Sequence, residues 1–247
     1  MEEETFDMYD SWKPGFWWIW SRRDVLRRTL RKLVKKRSLI LDIGSGSGLF
    51  YKTLSRFGSV MNLEYSKKGL LHLRRKRIGN LLRGDAQFLP IGDGCVDIVT
   101  CIDVMEHVDD DRKLVREAHR VLKKDGYFIV TVPAYMFLWS DDDVLVHHKR
   151  RYTISRLVKL VEGRFVVTKK TYRFFFIFFP TLILFLLKRL NKKIMGKRYV
   201  LKNSLETEPN KVINFILRSI MYLENVLIDW GVCLPFGVNI LIVLQKR

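Results

Sequence analysis

Cysteine is scarce in this 247-residue chain: Cys95, Cys101 and Cys233 are too few and too scattered for a disulfide framework or a cysteine-rich zinc site, and they read as small apolar side chains in a reducing compartment. Acidic residues are also few. Against 45 Lys and Arg stand 26 Asp and Glu, a net charge of +19 that asks for an anionic partner: nucleic acid, phospholipid headgroups or a phosphorylated substrate. The start, MEEETFDMYD, lacks the basic and then apolar order of a secretory signal, so export is not expected. No Gly/Ser-rich or Pro-rich linker and no repeat of about 20 to 50 residues divides the chain, which reads as one continuous core carrying extensions. What is abundant, 48% hydrophobic and 13% aromatic residues, excludes disorder and collagen-like structure.

Short β-branched apolar runs alternate with helical patterns from Ser38 onward. SLILDIG, SVMNLEY, NLLRGDA, VDIVTCID and YFIVTVPA read as strands, and DDRKLVREAHRVLKKDG reads as the amphipathic helix before the last of them. Such alternation predicts right-handed βαβ crossovers and an α/β, Rossmann-like, doubly wound and mostly parallel sheet. RFVVTKKTY and NILIVLQKR are the closing strands, giving seven in all with an antiparallel last one. The expected division is an aromatic and basic N-terminal arm over 1–37, a core over 38–173, an apolar and basic helical insertion over 174–235, and the final core strand over 236–247.

The strongest local signal is Leu41-Asp42-Ile43-Gly44-Ser45-Gly46-Ser47-Gly48, a strand breaking into alternating glycines. Glycine permits the sharp turn and leaves no Cβ between backbone and a flat or extended ligand. A dinucleotide-type spacing would need glycine where Leu49 stands, which counts against NAD. Acidic residues follow at later strand ends: Glu64 closes the second strand where a carboxylate meets a ribose diol, Asp85 follows the third, and Ile102-Asp103 ends the fourth. All lie along the one sheet edge where open α/β sheets bind ligands.

LDIGSGSG, Glu64, GDAQFLPIGDGCVDIVTCIDVMEHVDD and HRVLKKDG, taken in order over Ser38 to Pro133, resemble the successive motifs of class I S-adenosylmethionine-dependent methyltransferases. The resemblance implies that Gly44, Ser45, Gly46 and Gly48 support the methionine part of S-adenosyl-L-methionine. Glu64 would then hold the ribose, Asp85 with Ala86 the adenine, and Asp42 either the loop or the cofactor's amino group. Ile102 and Asp103 would line the floor beneath the sulfonium. No covalent nucleophile is evident, because no G-x-S-x-G elbow is present and no Cys has an obvious His partner. D-x-x-E-H over Asp103–His107 resembles a metal-binding run of some ubiquinone-pathway O-methyltransferases, in which acidic side chains and a His hold a divalent ion, but the run is common in this fold without one, and no metal is expected.

After the fifth strand comes VPAYMFLWSDDDVLVHHKRRYT, where acceptor-binding loops belong in this fold. His147 or His148 could take a hydroxyl proton, since imidazole titrates near neutrality. Asp143 would orient the histidine, Arg150 and Arg151 would grip an anion, and Tyr152 would donate to the same acceptor. Trp139 belongs to the same acceptor cluster. Together with FWWIWSRRDVLRRTL, FFFIFFP and LPFGVNILIVLQKR, this loop resembles a methyltransferase subgroup associated with lipid-linked or cell-envelope glycan pathways. The subgroup's W-S-x-H-D and H-x-R-R-Y pattern is matched at Asp143, His148, Arg150, Arg151 and Tyr152, whereas Asp142 replaces a common histidine, which favours His148 over His147 as base.

Phe174 to Leu187 is densely apolar but short of the ~20 residues a spanning helix needs, and Pro180 interrupts it. Insertion into one leaflet fits better than crossing. Lys188, Arg189, Lys192, Lys193, Lys197, Arg198 and Lys202 follow without an acid, and Trp12, Trp17, Trp18 and Trp20 beside Arg22, Arg23, Arg27 and Arg28 have the amphipathic character of an interfacial belt. These features predict a peripheral or monotopic enzyme at the cytoplasmic face of a membrane that O-methylates an anionic or isoprenoid-linked lipid, with a homodimer compatible. The rivals are an RNA methyltransferase using the basic surface, disfavoured by the lack of an RNA-binding module, and a non-catalytic cofactor-binding membrane protein.

Overall fold

The computed structural model describes residues 15–34, 36–195 and 209–247. Seven strands form one sheet: β1 (Ser38–Ile43), β2 (Gly58–Glu64), β3 (Leu81–Arg83), β4 (Val96–Ile102), β5 (Leu122–Pro133), β6 (Phe165–Arg173) and β7 (Asn239–Lys246), in the order β3-β2-β1-β4-β5-β7-β6. β1 through β5 run parallel, and β7 lies antiparallel between β5 and β6, as the α/β reading of the sequence expects. Strand order reverses at β1, which pairs with β2 on one side and β4 on the other; this is the switch point where a crevice opens at the carboxyl ends of the strands.

Period-two alternation sends neighbouring side chains to opposite faces and so builds two cores. Leu41, Ile43, Val99, Cys101, Val130, Val132, Ile240 and Ile242 meet helices α4 (Asp111–Val121) and α6 (Ile154–Val161) through Leu114, Val115, Ala118, Leu157 and Val161. Ile40, Ile98, Ile129, Leu241 and Val243 meet α1 (Trp17–Leu33), α2 (Tyr51–Leu54) and α8 (Lys211–Asp229) through Val25, Leu26, Leu30, Leu54 and Ile228. The remaining helices are α3 (Lys67–Arg75), α5 (Asp141–Leu145) and α7 (Phe178–Met195). Side-chain caps start several of them: Ser66 accepts from Gly69 N, Asp110 from Lys113 N, Thr153 from Arg156 N and Asn210 from Ile213 N.

Three sequence expectations are corrected by packing. The N-terminal segment packs on the core, α1 lying against α8 over one sheet face. Trp17 is buried and Trp18 stacks on Phe174 with centroids 4.4 Å apart, so these rings fill a core instead of forming an interfacial belt. Its cations turn inward as well, Arg27 and Arg28 onto Asp24 and Arg23 Nε onto Leu49 O at 2.9 Å. Trp12 lies outside the described residues. Secondly, Pro180 does not interrupt a helix. It sits in the first turn of α7, where the missing N–H has no intrahelical acceptor to lose.

Thirdly, the helix expected through LKKDG stops at Val121, because Leu122 already pairs with Val96 in the sheet. The chain then turns through Asp125 at φ +62°, and a Cβ on Gly126 would press on the carbonyls of Asp97 and Lys123. Polar clamps hold the α1–α8 cover. The fully buried Arg173 donates to Ser21 O and Oγ at 3.3 and 3.1 Å, Asn225 Nδ2 donates to Asp24 Oδ2 at 3.1 Å, and Glu224 accepts from the N–H groups of Phe174 and Phe175 at 2.6 and 2.8 Å.

Candidate active site

The glycine loop leaves β1 at the switch point. Gly44, Gly46 and Gly48 all adopt positive φ, +70°, +51° and +74°, a conformation that side-chain-bearing residues resist. Space is closed there too, since a Cβ on Gly44 would run into Val104 and one on Gly48 into Ile78. Asp42 is buried beneath the loop. Its Oδ1 accepts from Thr100 Oγ1 at 2.7 Å and its carbonyl from Ser45 Oγ at 3.0 Å, so of the two roles implied for it the geometry matches holding the loop. Burial, opposed by those hydroxyls and aided by Glu64, pushes the Asp42 carboxyl up to about 6.

Glu64 at the end of β2 faces the loop. Its Oε2 accepts from Gly46 N and its Oε1 from Ser66 N, each at 2.9 Å. Each carboxylate oxygen has two acceptor directions, so one on each oxygen is left for a hydroxyl; this donor and acceptor set fits a vicinal diol. Asp85 accepts from Gln87 N at 2.8 Å and Gln87 Nε2 at 3.1 Å beside the buried Ala86. Ile102 borders a small cavity shared with Arg22, Phe50 and Arg173. Asp103 takes φ +52°, strained for a residue with a side chain, and is held there by Thr131 Oγ1 and Asn239 Nδ2 donating to its Oδ1 at 3.0 and 3.1 Å and by an ion pair with Arg22. The crevice is thus edged by Glu64, Asp85 and Asp103, the last paired with Arg22, over the buried Asp42; on a chain of net charge +19 this acidic rim suits a cationic ligand.

Beyond β5 the structure gathers a second group. A capping box starts α5, in which Ser140 Oγ accepts from Asp142 N at 3.3 Å and Asp143 Oδ2 accepts from Ser140 N at 2.8 Å. Asp143 is buried and also takes His148 Nδ1 at 2.7 Å and Arg151 through Nε at 2.8 Å and Nη2 at 3.0 Å. Burial works against ionisation here, but the His148 and Arg151 hydrogen bonds win and hold the carboxyl down to about 2. His148 Nε2 points toward Glu106, 3.7 Å from Oε1, and the His107 ring lies edge-on to His148 with centroids 4.8 Å apart. Burial and then the neighbouring His148 lower His107 to about 4, while burial raises Glu106 to about 8.

The expected anion clamp and donor are arranged differently. Arg151 is held by Asp143, and Arg150 pairs with Asp111 at 3.2 Å and donates to Asp109 O at 2.9 Å, so both guanidinium groups already have protein partners. Tyr152 is buried and donates to Asp111 Oδ2 at 3.0 Å and Met105 O at 3.2 Å; burial and Asp111 raise its hydroxyl pKa, and it braces the loop from inside. His147 is exposed at φ +59°, and its backbone hydrogen-bonds the His107 side chain. Trp139 is half-buried, its carbonyl accepting from Arg189 Nη2 at 2.9 Å. Arg22 and Asn239 were not placed at this site from sequence, and Glu106 and His107 were noted only as part of the D-x-x-E-H run. The D-x-x-E-H run was visible, but its partner His148 lies 41 positions after His107, and Asn239 lies in the last strand.

A methyltransferase-domain family model matches residues 41–130. An uncharacterized protein of Methanocaldococcus jannaschii is 31% identical over 144 residues, 53% of this chain and 61% of that one. A Mycolicibacterium smegmatis protein named "Probable S-adenosylmethionine-dependent methyltransferase" is 28% identical over 128 residues, 50% of this chain and 49% of its own. The chain thus spans about half to three-fifths of the length of these two curated relatives. The crystal structure of the YcgJ protein of Bacillus subtilis superposes with a TM-score of 0.55 at 20% identity, covering 90% of this chain and 98% of that one, and shares the fold. With the matched segment carrying the glycine loop, Glu64 and Asp85, residues 41–130 form a class I S-adenosylmethionine-dependent methyltransferase domain whose cofactor is S-adenosyl-L-methionine.

Proposed function

We propose that the chain transfers a methyl group to an oxygen of an amphiphilic, lipid-like anionic acceptor presented at a membrane surface. The observation that carries this reading is the surface beside the second group of residues. Met136, Phe137, Val144 and Leu145, in the turns leading to His148, all expose large apolar side chains. α7, whose Arg189 Nη2 donates to Phe137 O at 2.7 Å, exposes Phe179, Ile183, Leu186, Leu187 and Leu190 beside them. Apolar surface of this extent marks an interaction site, and cations following it add attraction to anionic headgroups. Among the described residues no helix is long and apolar enough to cross a membrane, so the contact would be peripheral or monotopic. Lys197, Arg198 and Lys202 lie outside the described residues.

When bound, S-adenosyl-L-methionine supplies a methyl group on a positive sulfur that leaves with the bond's electron pair. The chain's work is then placement. Gly44 to Gly48 and Glu64 would fix the cofactor, and the acidic rim would favour its positive charge. Asp85 with Ala86 would border the adenine. Asp143 fixes His148 through Nδ1, leaving Nε2 turned toward Glu106. Arg151 and Tyr152 position this group from within, and Arg150 ties it to α4 through Asp111.

Incubation with methyl-labelled cofactor and either a native lipid extract or total RNA tests the reading. Label is expected in the organic phase; label on RNA instead would overturn it. Replacing Ile183 and Leu187 together by Ser should lower binding to anionic vesicles at least tenfold, and unchanged binding would remove the membrane from the account.

A further inference from the structure

We propose that Glu106, His107 and His148 hold a divalent transition-metal ion of zinc type beside the cofactor crevice. One donor atom from each residue lies within 4.8 Å of the other two. Zinc bonds of about 2.0–2.2 Å to nitrogen and oxygen put tetrahedral ligands roughly 3.3–3.6 Å apart, and His148 Nε2 already stands 3.7 Å from Glu106 Oε1. That separation is too long for a hydrogen bond and close to right for two ligands of one ion. The two imidazoles meet edge-on at 68°, with centroids 4.8 Å apart, close enough to share one ion.

Glu106 supplies the independent observation. Its side chain has no exposed surface, and neither carboxylate oxygen has a hydrogen-bond partner among the described residues. Burying a carboxylate without partners costs several kcal/mol as an order of magnitude, so such a group calls for an occupant, and a cation is the one that answers both oxygens. The nearby arginines do not forbid it. Arg22 is paired with Asp103 and Arg151 with Asp143, so both act on Glu106 only through space and neither gives its oxygens a hydrogen bond.

The surrounding bonds are those a metal centre uses to orient its ligands. Asp143 takes His148 Nδ1 at 2.7 Å, and the His147 backbone hydrogen-bonds His107, so each imidazole is fixed through one nitrogen and offers the other. Lys149 N donates to Glu106 O at 2.8 Å and ties the two ligand-bearing segments together. Two nitrogens and one carboxylate leave a fourth position, and half-buried His107 and His148 set it on the outer side of Glu106. An acceptor oxygen would take that position. This last step rests on the methyl-transfer reading, whereas ion binding does not.

The full chain, stripped with a chelator and dialysed, is titrated with Zn2+ and, as a spectroscopic probe, Co2+. One equivalent per chain is expected, with the absorption of four-coordinate cobalt and a higher Tm. Glu106→Gln and the half-buried His148→Gln should each weaken binding at least a hundredfold, while His119→Gln on α4 should leave it unchanged. Substoichiometric binding by the wild type, or equal binding by a folded His148→Gln protein, would overturn the proposal. Calorimetry with S-adenosyl-L-methionine on the stripped protein separates the two readings: cofactor binding without an ion site sinks only the metal, and an ion site without cofactor binding sinks only the methyltransferase account.

Discussion

The rim around the glycine loop and the cluster around Asp143 sit on the same sheet edge but are built by different means. The rim is local: a carboxylate at one strand end meets backbone N–H groups of its own loop and of the loop after the neighbouring strand, as Glu64 does with Ser66 and Gly46. The cluster is assembled from distant pieces, Glu106 and His107 after β4 and residues 140–152 after β5, bound through one buried acid that serves Ser140, His148 and Arg151 together. The rim therefore tolerates only loop-compatible backbones, whereas the cluster depends on a hub.

That contrast makes Asp143→Ala the most damaging single change. It leaves Arg151 buried without its carboxylate and should cost about 3–5 kcal/mol in urea unfolding, with cofactor affinity measured by calorimetry within twofold of wild type. A parallel loss of cofactor affinity would show that the two regions are not separate. Glu64→Ala is the converse. Two hydroxyl hydrogen bonds to a charged acceptor are lost, so cofactor affinity should fall about a hundredfold, close to 3 kcal/mol, while the pairing of His148 with Asp143, read by histidine NMR, stays as it was. A shift in that resonance would join what we separate.

Asp42→Asn sharpens the comparison by the smallest amount. Because burial raises this carboxyl from 3.8 to about 6, the folded state holds the proton more tightly than the unfolded one, and wild-type stability declines as pH rises between those values. Asparagine keeps an acceptor for Thr100 without the charge. The variant should be about 2 kcal/mol more stable at pH 8 in denaturant titrations, the gain vanishing below pH 4. A gain independent of pH would place its origin elsewhere.

Sheet topology and the rim were legible because both rest on short-range patterns: β-branched runs set the strands, and Gly44 to Gly48 with Glu64 announce a ligand edge within a few dozen residues. The cluster was half legible. His148 and Asp143 stand five apart and were paired from sequence, but nothing local reveals that Arg151 is spent on Asp143 or Arg150 on Asp111, since an arginine reads alike whether it faces solvent or a buried acid. Glu106 was noted within its run, but its burial beside His148 was not, for a related reason. Its burial depends on β4, α5 and the loop after it arriving together. The tryptophans of α1 misled because an aromatic and basic helix looks the same on a membrane and against α8; what decides is Phe174 and Glu224, far down the chain.

The placement of β7 also governs how the molecule can be made. Among the described residues β6 pairs with no strand but β7, which occupies the lane between it and β5. While residues 174–238 emerge from a ribosome, β5 therefore offers an open edge and β6 has nowhere to dock. The apolar stretch of α7 is synthesised during that same interval. A chaperone or a lipid surface able to shield the nascent edge would raise yield, and arrest of translation before Asn239 would leave an aggregation-prone chain.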